Sequence, residues 1–203
     1  PVSDALRSIM TTQLGVGSEA FCLAEVDGWL PEFAFHIPLG QANVAQVVAS
    51  QLADVLRAHP SEGLLSSYAD RLERLGFAPV EGLLKGYIDL VMRKDGRWYL
   101  ADYKSNYLGE DMDAYRADRL PAAMAYGHYY LQSHLYGVAL HRYLECRLPD
   151  YDYDSHFGGV HYLFLRGMKP TTGPSHGVFF ERPPKGRIEA LSRVLAGSRG
   201  ENR

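Results

Sequence analysis

The sequence predicts a mixed α/β or α+β domain. Three observations carry that expectation. Strand-like and helix-like stretches are interspersed along the chain. An Asp95-Gly96 pair between two strand-like runs signals an antiparallel hairpin. A chain of 203 residues, 46% hydrophobic, is long and apolar enough for one domain with a two-layer core.

The elements follow in order. Residues 1–20 read as a weak amphipathic helix ending in a break at Gly15 to Gly17. Phe21 to Val26 reads as a strand, Asp27-Gly28 as a turn, and Trp29 to Leu39 as the returning strand, closed by Pro38. Val44, Val47, Val48, Leu52 and Leu56 recur at helical spacing and predict a helix over 43–58. Residues 61–75 read as a second, shorter helix closed by Gly76. Leu83 to Arg93 and Arg97 to Tyr103 are the hairpin strands. After a loop from Ser105 to Leu120, Pro121 suits the first turn of a helix reaching about Leu148. Gly158 to Arg166 and Gly177 to Arg182 read as strands, and Pro184 to Ala196 as a final helix.

Composition narrows the function. The net charge of −3 excludes a globally basic nucleic-acid binder, so any such contact is local and assisted by cations. Cys22 and Cys146 are far apart and form no C-x-x-C pair, which disfavours a zinc ribbon, a redox dithiol or an iron–sulfur cluster and suits a reducing cytoplasm. No apolar run reaches membrane-spanning length. The start, Pro1-Val2-Ser3-Asp4, carries neither a secretory signal nor an initiating Met, and reads as the edge of a fragment. There is no G-x-x-x-x-G-K-[ST] loop for a nucleoside triphosphate. His128, His134 and His141 form no H-x-x-x-H pair and read as exposed helix histidines rather than zinc ligands.

The hairpin gathers chemistry. If Asp95-Gly96 is a two-residue turn, Lys94 faces Arg97, and counting back along both strands puts Asp89 opposite Asp102. Lys104 then lies on the same face as Asp102. Two opposed aspartates repel, and a divalent cation would remove that repulsion while leaving room for phosphate oxygens. A three-residue loop with a bulge would instead put the aspartates on opposite faces. A general two-carboxylate hydrolase such as a glycosidase is the weaker fit, because a lysine beside opposed aspartates suits a cation.

Gly86-Tyr87-Ile88-Asp89 followed by Asp102-Tyr103-Lys104 resembles the core of PD-(D/E)xK nucleases, and the form G-x-x-D then D-Y-K resembles the RecB family in particular. Gln132-Ser133-His134-Leu135-Tyr136 is similar to that family's Q-x-x-x-Y motif, and runs such as Phe157-Gly158-Gly159-Val160 extend the likeness over residues 83–183.

The resemblance implies a restriction-endonuclease-like core: a central mixed sheet with an antiparallel catalytic hairpin, flanked by helices. It implies one nuclease domain over 1–203, part of a longer helicase–nuclease subunit. Asp89 and Asp102 would bind Mg²⁺ (with Mn²⁺ or Ca²⁺ able to substitute in binding), the Tyr103 carbonyl would add a ligand, and Glu32 would support the site. Lys104 would be the catalytic lysine. Gln132 and Tyr136, neighbours on one helix face, would contact DNA. Partners implied are DNA, RecC- and RecD-type subunits and a RecA-type recombinase. The family's G-x-x-x-H-x-x-L helix, whose His is a metal ligand, is not found in the chain, and its expected place is upstream of Pro1; His36, in a strand context, reads as packing. A nuclease-fold module that only binds DNA or a protein is the alternative function.

Overall fold

The computed structural model describes residues 2–17, 20–39, 47–76, 78 and 81–197. Five strands form one mixed sheet in the order β1 (Gly28–Leu39), β2 (Gly82–Lys94), β3 (Arg97–Lys104), β4 (Phe157–Phe164) and β5 (Val178–Glu181). Among the described strands β3 and β4 run parallel, and the other neighbours run antiparallel. Every residue of β4 is buried, as suits an interior strand covered on both faces.

The β2–β3 turn is the two-residue type that the sequence signals. Asp95 and Gly96 both take positive φ (49° and 77°), and Lys94 pairs with Arg97. The same register continues to Leu90 opposite Ala101, where the ladder ends one pair short of Asp89 and Asp102. Asp27 caps the turn by accepting the Asp95 N–H at 2.8 Å.

The helices are α1 (Val2–Thr11), α2 (Ala49–Ala58), α3 (Tyr68–Glu73), α4 (Leu120–Tyr126), α5 (Tyr129–Arg147), α6 (Tyr153–His156) and α7 (Lys185–Leu195). A parallel β3–β4 pair needs a crossover, and α4 and α5 supply it. They pack against the larger core, built on Phe35, Ile88, Val91, Leu100, Val160 and Tyr162. The opposite face of the sheet (Leu90, Met92, Tyr99, Ala101, Leu163) meets Leu14, Phe21 and Leu23.

Several expectations are corrected. Phe21 to Val26 is not a strand: Leu23–Glu25 form a 3₁₀ turn, and Glu25 accepts the Cys22 N–H at 2.9 Å. Asp27-Gly28 therefore leads into β1, which pairs with β2. The second helix is confined to Tyr68–Glu73. Helix α2 starts at Ala49, and Val44 lies outside the described residues. The long helix over 121–148 is two helices, because His128 adopts a left-handed φ of 53°. Gly127 permits the break, since a side chain there would strike the Tyr129 ring at 2.6 Å. His36 is exposed rather than packed. His134 and His141 are buried rather than exposed. His134 sits 2.6 Å from the Tyr130 carbonyl and 3.0 Å from Arg187, and His141 is 3.0 Å from the Tyr151 hydroxyl. Burial holds the imidazoles of both below the usual histidine range. Cys22 and Cys146 are both free.

Candidate active site

The site lies where the regular sheet is interrupted. Along β2, Ile88 and Val91 both join the larger core, whereas Leu90 and Met92 join the smaller one. Strict alternation would put residues 88 and 91 on opposite faces, so the pleat shifts at Asp89. On β1 the matching position is Glu32. Its neighbours pair as Pro31 with Leu90 and Phe33 with Ile88, but Glu32 itself is unpaired and takes φ 50°.

This irregularity frees the Asp89 carboxylate to turn toward β3. Its Oδ2 accepts the backbone N–H of Tyr103 at 2.8 Å, replacing a ladder bond where the two strands part. Asp102 ends the continuous buried stretch of β3 and is only 2% exposed. Burial pushes its carboxyl above the usual carboxylate range; Lys104 opposes that rise and Asp89 adds to it. Asp102 Oδ2 forms an ion pair with Lys104 Nζ at 2.6 Å. Burying a carboxylate is costly, and the Lys104 ammonium offsets part of that cost while the nearby Asp89 charge adds to it.

Helix α5 completes the arrangement from above. Lys104 Nζ donates to Gln132 Oε1 at 3.1 Å, and the Tyr162 hydroxyl donates to the same oxygen at 3.0 Å. Ammonium and hydroxyl both need an acceptor there, which orients the Gln132 amide. Its Nε2 then donates to the Tyr136 hydroxyl at 2.9 Å. Burial raises the Tyr136 hydroxyl above the usual phenol range, and the nearby carboxyls of Asp102 and then Asp89 add to the rise. The helix is held over β1 by edge-to-face contacts of Tyr136 on Phe35 and Tyr143 on Phe33. Gly86 makes room for the Phe35 ring, which would lie 2.5 Å from any Cβ at that position.

Asp89, Asp102, Lys104, Gln132 and Tyr136 thus belong to one cluster, with the Tyr103 backbone between the acids. Glu32 stands at its margin with an exposed side chain. Tyr129 and Tyr162, which no motif flagged, also touch the lysine: their ring centroids lie 4.1 and 5.2 Å from Nζ. Tyr162 was hidden because its place depends on the parallel register that sets it beside Asp102. A cavity of about 730 Å³ opens elsewhere, beside β5, and none of Glu32, Asp89, Asp102 or Lys104 lines it.

The PD-(D/E)XK nuclease superfamily matches residues 17–196. The chain belongs to that superfamily. Within it, the match is to the RecB nuclease domain. Over 166 residues, 82% of this chain, it is 46% identical to the RecBCD enzyme subunit RecB of Escherichia coli (strain K12), 13% of which is covered. Over 206 residues, 94% of the chain, it is 39% identical to RecB of Mycobacterium tuberculosis (strain ATCC 25618 / H37Rv), covering 19% of that subunit. Over 123 residues, 61% of the chain, it is 47% identical to RecB of Haemophilus influenzae (strain ATCC 51907 / DSM 11121 / KW20 / Rd), covering 10% of that subunit. The chain therefore spans between 10% and 19% of the length of these relatives.

PD-(D/E)XK nucleases generally use divalent metals, and the donors here suit one. Among the described residues no three His, Cys, Asp or Glu side chains form a ready-made metal cage. The oxygen donors of Asp89 and Asp102 instead suit a hard cation that keeps several waters.

Proposed function

We propose that this chain is the DNA-cleaving domain of a RecB-type helicase–nuclease subunit, hydrolysing phosphodiesters with Mg²⁺. The observation that carries this reading is the buried Asp102 carboxylate, which pairs with the Lys104 ammonium at 2.6 Å and lies close enough to Asp89 for its charge to raise the Asp102 carboxyl. Asp89, Asp102 and the Tyr103 carbonyl would hold the cation, with Glu32 at the margin. When bound, such a cation supplies Lewis-acid polarisation of a phosphoryl oxygen and lowers the pKa of water.

The chain's own residues do the rest. Lys104 presents a fixed ammonium to the phosphate and stabilises negative charge that grows as water attacks in line. Because Lys104 is anchored before substrate arrives, little reorganisation is needed during reaction. Gln132 holds the lysine from α5, the Tyr136 hydroxyl holds the Gln132 amide, and both would face the nucleic-acid strand. Asp89 and Asp102 act as ligands rather than as covalent nucleophiles. By analogy with the matched subunits, the domain would work in a cytoplasmic complex with RecC- and RecD-type subunits. It would act in double-strand-break repair, handing DNA to a RecA-type recombinase. The whole chain would form a single domain of a longer subunit.

Calorimetric titration with Mg²⁺ or Mn²⁺, followed by a cleavage assay on single-stranded DNA, tests the reading. Asp102→Ala is expected to abolish cutting while circular dichroism shows an intact fold. Metal-dependent cleavage retained by that folded variant would overturn the assignment. Ion binding without cleavage in the full-length protein would favour a module that only binds.

A further inference from the structure

Lys104 has a more elaborate seat than its ion pair requires. The side chain is only 13% exposed. Asp102 lies on one side; on the other are Gln132 Oε1 and two tyrosine rings. Tyr129 and Tyr162 stack on each other with centroids 5.7 Å apart. Tyr162 is fully buried, and its hydroxyl shares the Gln132 oxygen with the ammonium. Tyr129 is tied down in turn, because its hydroxyl exchanges hydrogen bonds with the Asn106 side chain at 3.0 and 3.2 Å. An ammonium 4.1 Å from a ring centroid, shielded from water, is well inside the range of a cation–π attraction.

The two rings come from different elements. Tyr129 opens α5, immediately after the left-handed His128, and precedes Gln132 by one helical turn. Tyr162 is the β4 partner of Asp102. Helix break and parallel register are both needed to bring them to the same lysine.

We propose that Tyr129 and Tyr162 are positioning residues that hold the Lys104 ammonium in place by their π faces and, for Tyr162, through Gln132. This rests on the proposed role of Lys104. Asp102 alone is a poor anchor, because a carboxylate engaged with a divalent cation has less attraction to spare for an ammonium. A lysine freed from it would regain the rotamers of its four-carbon stem. The seat of rings and amide is neutral, so its hold on Lys104 does not depend on what Asp102 binds.

The test uses the full-length protein and compares Tyr129→Leu, which removes the ring, with Tyr129→Phe, which keeps it. Tyr129 is only partly buried, so both variants should fold. Tyr129→Leu is expected to lower kcat on a single-stranded oligonucleotide roughly tenfold, with KM within about twofold, while Tyr129→Phe stays within about twofold in both. A second readout is independent of cleavage: the rate at which an amine-reactive reagent labels Lys104 in metal-free protein, followed by mass spectrometry. Labelling should rise in Tyr129→Leu and Tyr162→Leu and stay unchanged in Tyr129→Phe. In a Lys104→Gln background, Tyr129→Leu should cost no further activity.

Equal kcat and equal labelling in the Leu and Phe variants would overturn the proposal. So would a rise in KM alone, or an undiminished loss in the Lys104→Gln background, since either makes Tyr129 a DNA contact. Lys104→Gln cutting like wild type would instead sink the role of Lys104, while the labelling rates still decide whether the rings seat it.

Discussion

Glu32 faces Asp89 across a gap in the β1–β2 ladder, with paired residues on both sides of it. Its φ of 50° is a conformation that a side chain with a Cβ adopts at a cost of about 1–2 kcal/mol. Glu32→Gly should therefore raise the thermal stability of the metal-free protein by up to about 1 kcal/mol. The same variant should weaken divalent-ion binding if Glu32 supports the site. Melting curves and calorimetry read the two effects separately. A destabilised Glu32→Gly protein would mean that the glutamate side chain contributes more than its backbone costs.

Asp102 gives a second expectation. Its folded carboxyl is raised above the ordinary value, so its contribution to stability is present at low pH and lost as pH rises. Burial makes its charged form costly, and a bound cation would offset that cost. Asp102→Asn should leave the metal-free melting temperature at pH 7 undiminished and abolish the rise that added Mg²⁺ produces. A variant still stabilised by Mg²⁺ would place the ion elsewhere.

Much of this site was legible in the sequence because its signals are local. Asp95-Gly96 fixes a turn whose two residues take left-handed conformations, and that turn sets the register to Leu90 and Ala101. Simple strand alternation did not reveal how the register ends. Asp89 meets a backbone N–H of β3 rather than a facing side chain. The apolar run at Phe21 resembled a strand because it is buried, but burial there comes from a turn lying on the smaller core. His134 and His141 looked like surface residues because the helix that carries them is covered by elements distant in sequence, including Arg187 and Tyr151. Tyr129 and Tyr162 carry no spacing signal, since a helix break and a parallel register bring them together.

His161 supplies a stability prediction away from the site. It is 2% exposed, and among the described residues neither ring nitrogen has a hydrogen-bond partner. Burial lowers its pKa to about 3. A depressed imidazole contributes stability that is present above its unfolded value and lost as pH falls toward the folded one. Between about pH 6.5 and 3 this residue alone makes the protein less stable by up to about 1.4 kcal/mol per pH unit. His161→Leu should raise stability at neutral pH by about 1–3 kcal/mol and reduce that acid slope. The slope should shrink rather than vanish, because His134 and His141 are depressed too. Denaturant titrations at several pH values check both points.

Gly86→Ala should harm stability and the site together. The new methyl would lie 2.5 Å from the Phe35 ring, which packs against Tyr136. Overpacking of that kind costs about 1–3 kcal/mol. The displaced ring should disturb Tyr136 and, through it, Gln132. Lower melting temperature with a fall in kcat is the expected result, and an unchanged kcat would show that α5 tolerates a shift of β1.

The all-buried β4 has a consequence for how the molecule is made. It lies beside β3, yet α4 and α5 intervene in the chain, so the two strands can join only after a long loop has closed. Until then, eight residues destined for the interior stand open to water with both backbone edges unoccupied. Such a ribbon is prone to pair with another chain. Slow refolding, and aggregation that worsens with protein concentration, should therefore follow from substitutions that weaken the helical crossover, even those far from the acids.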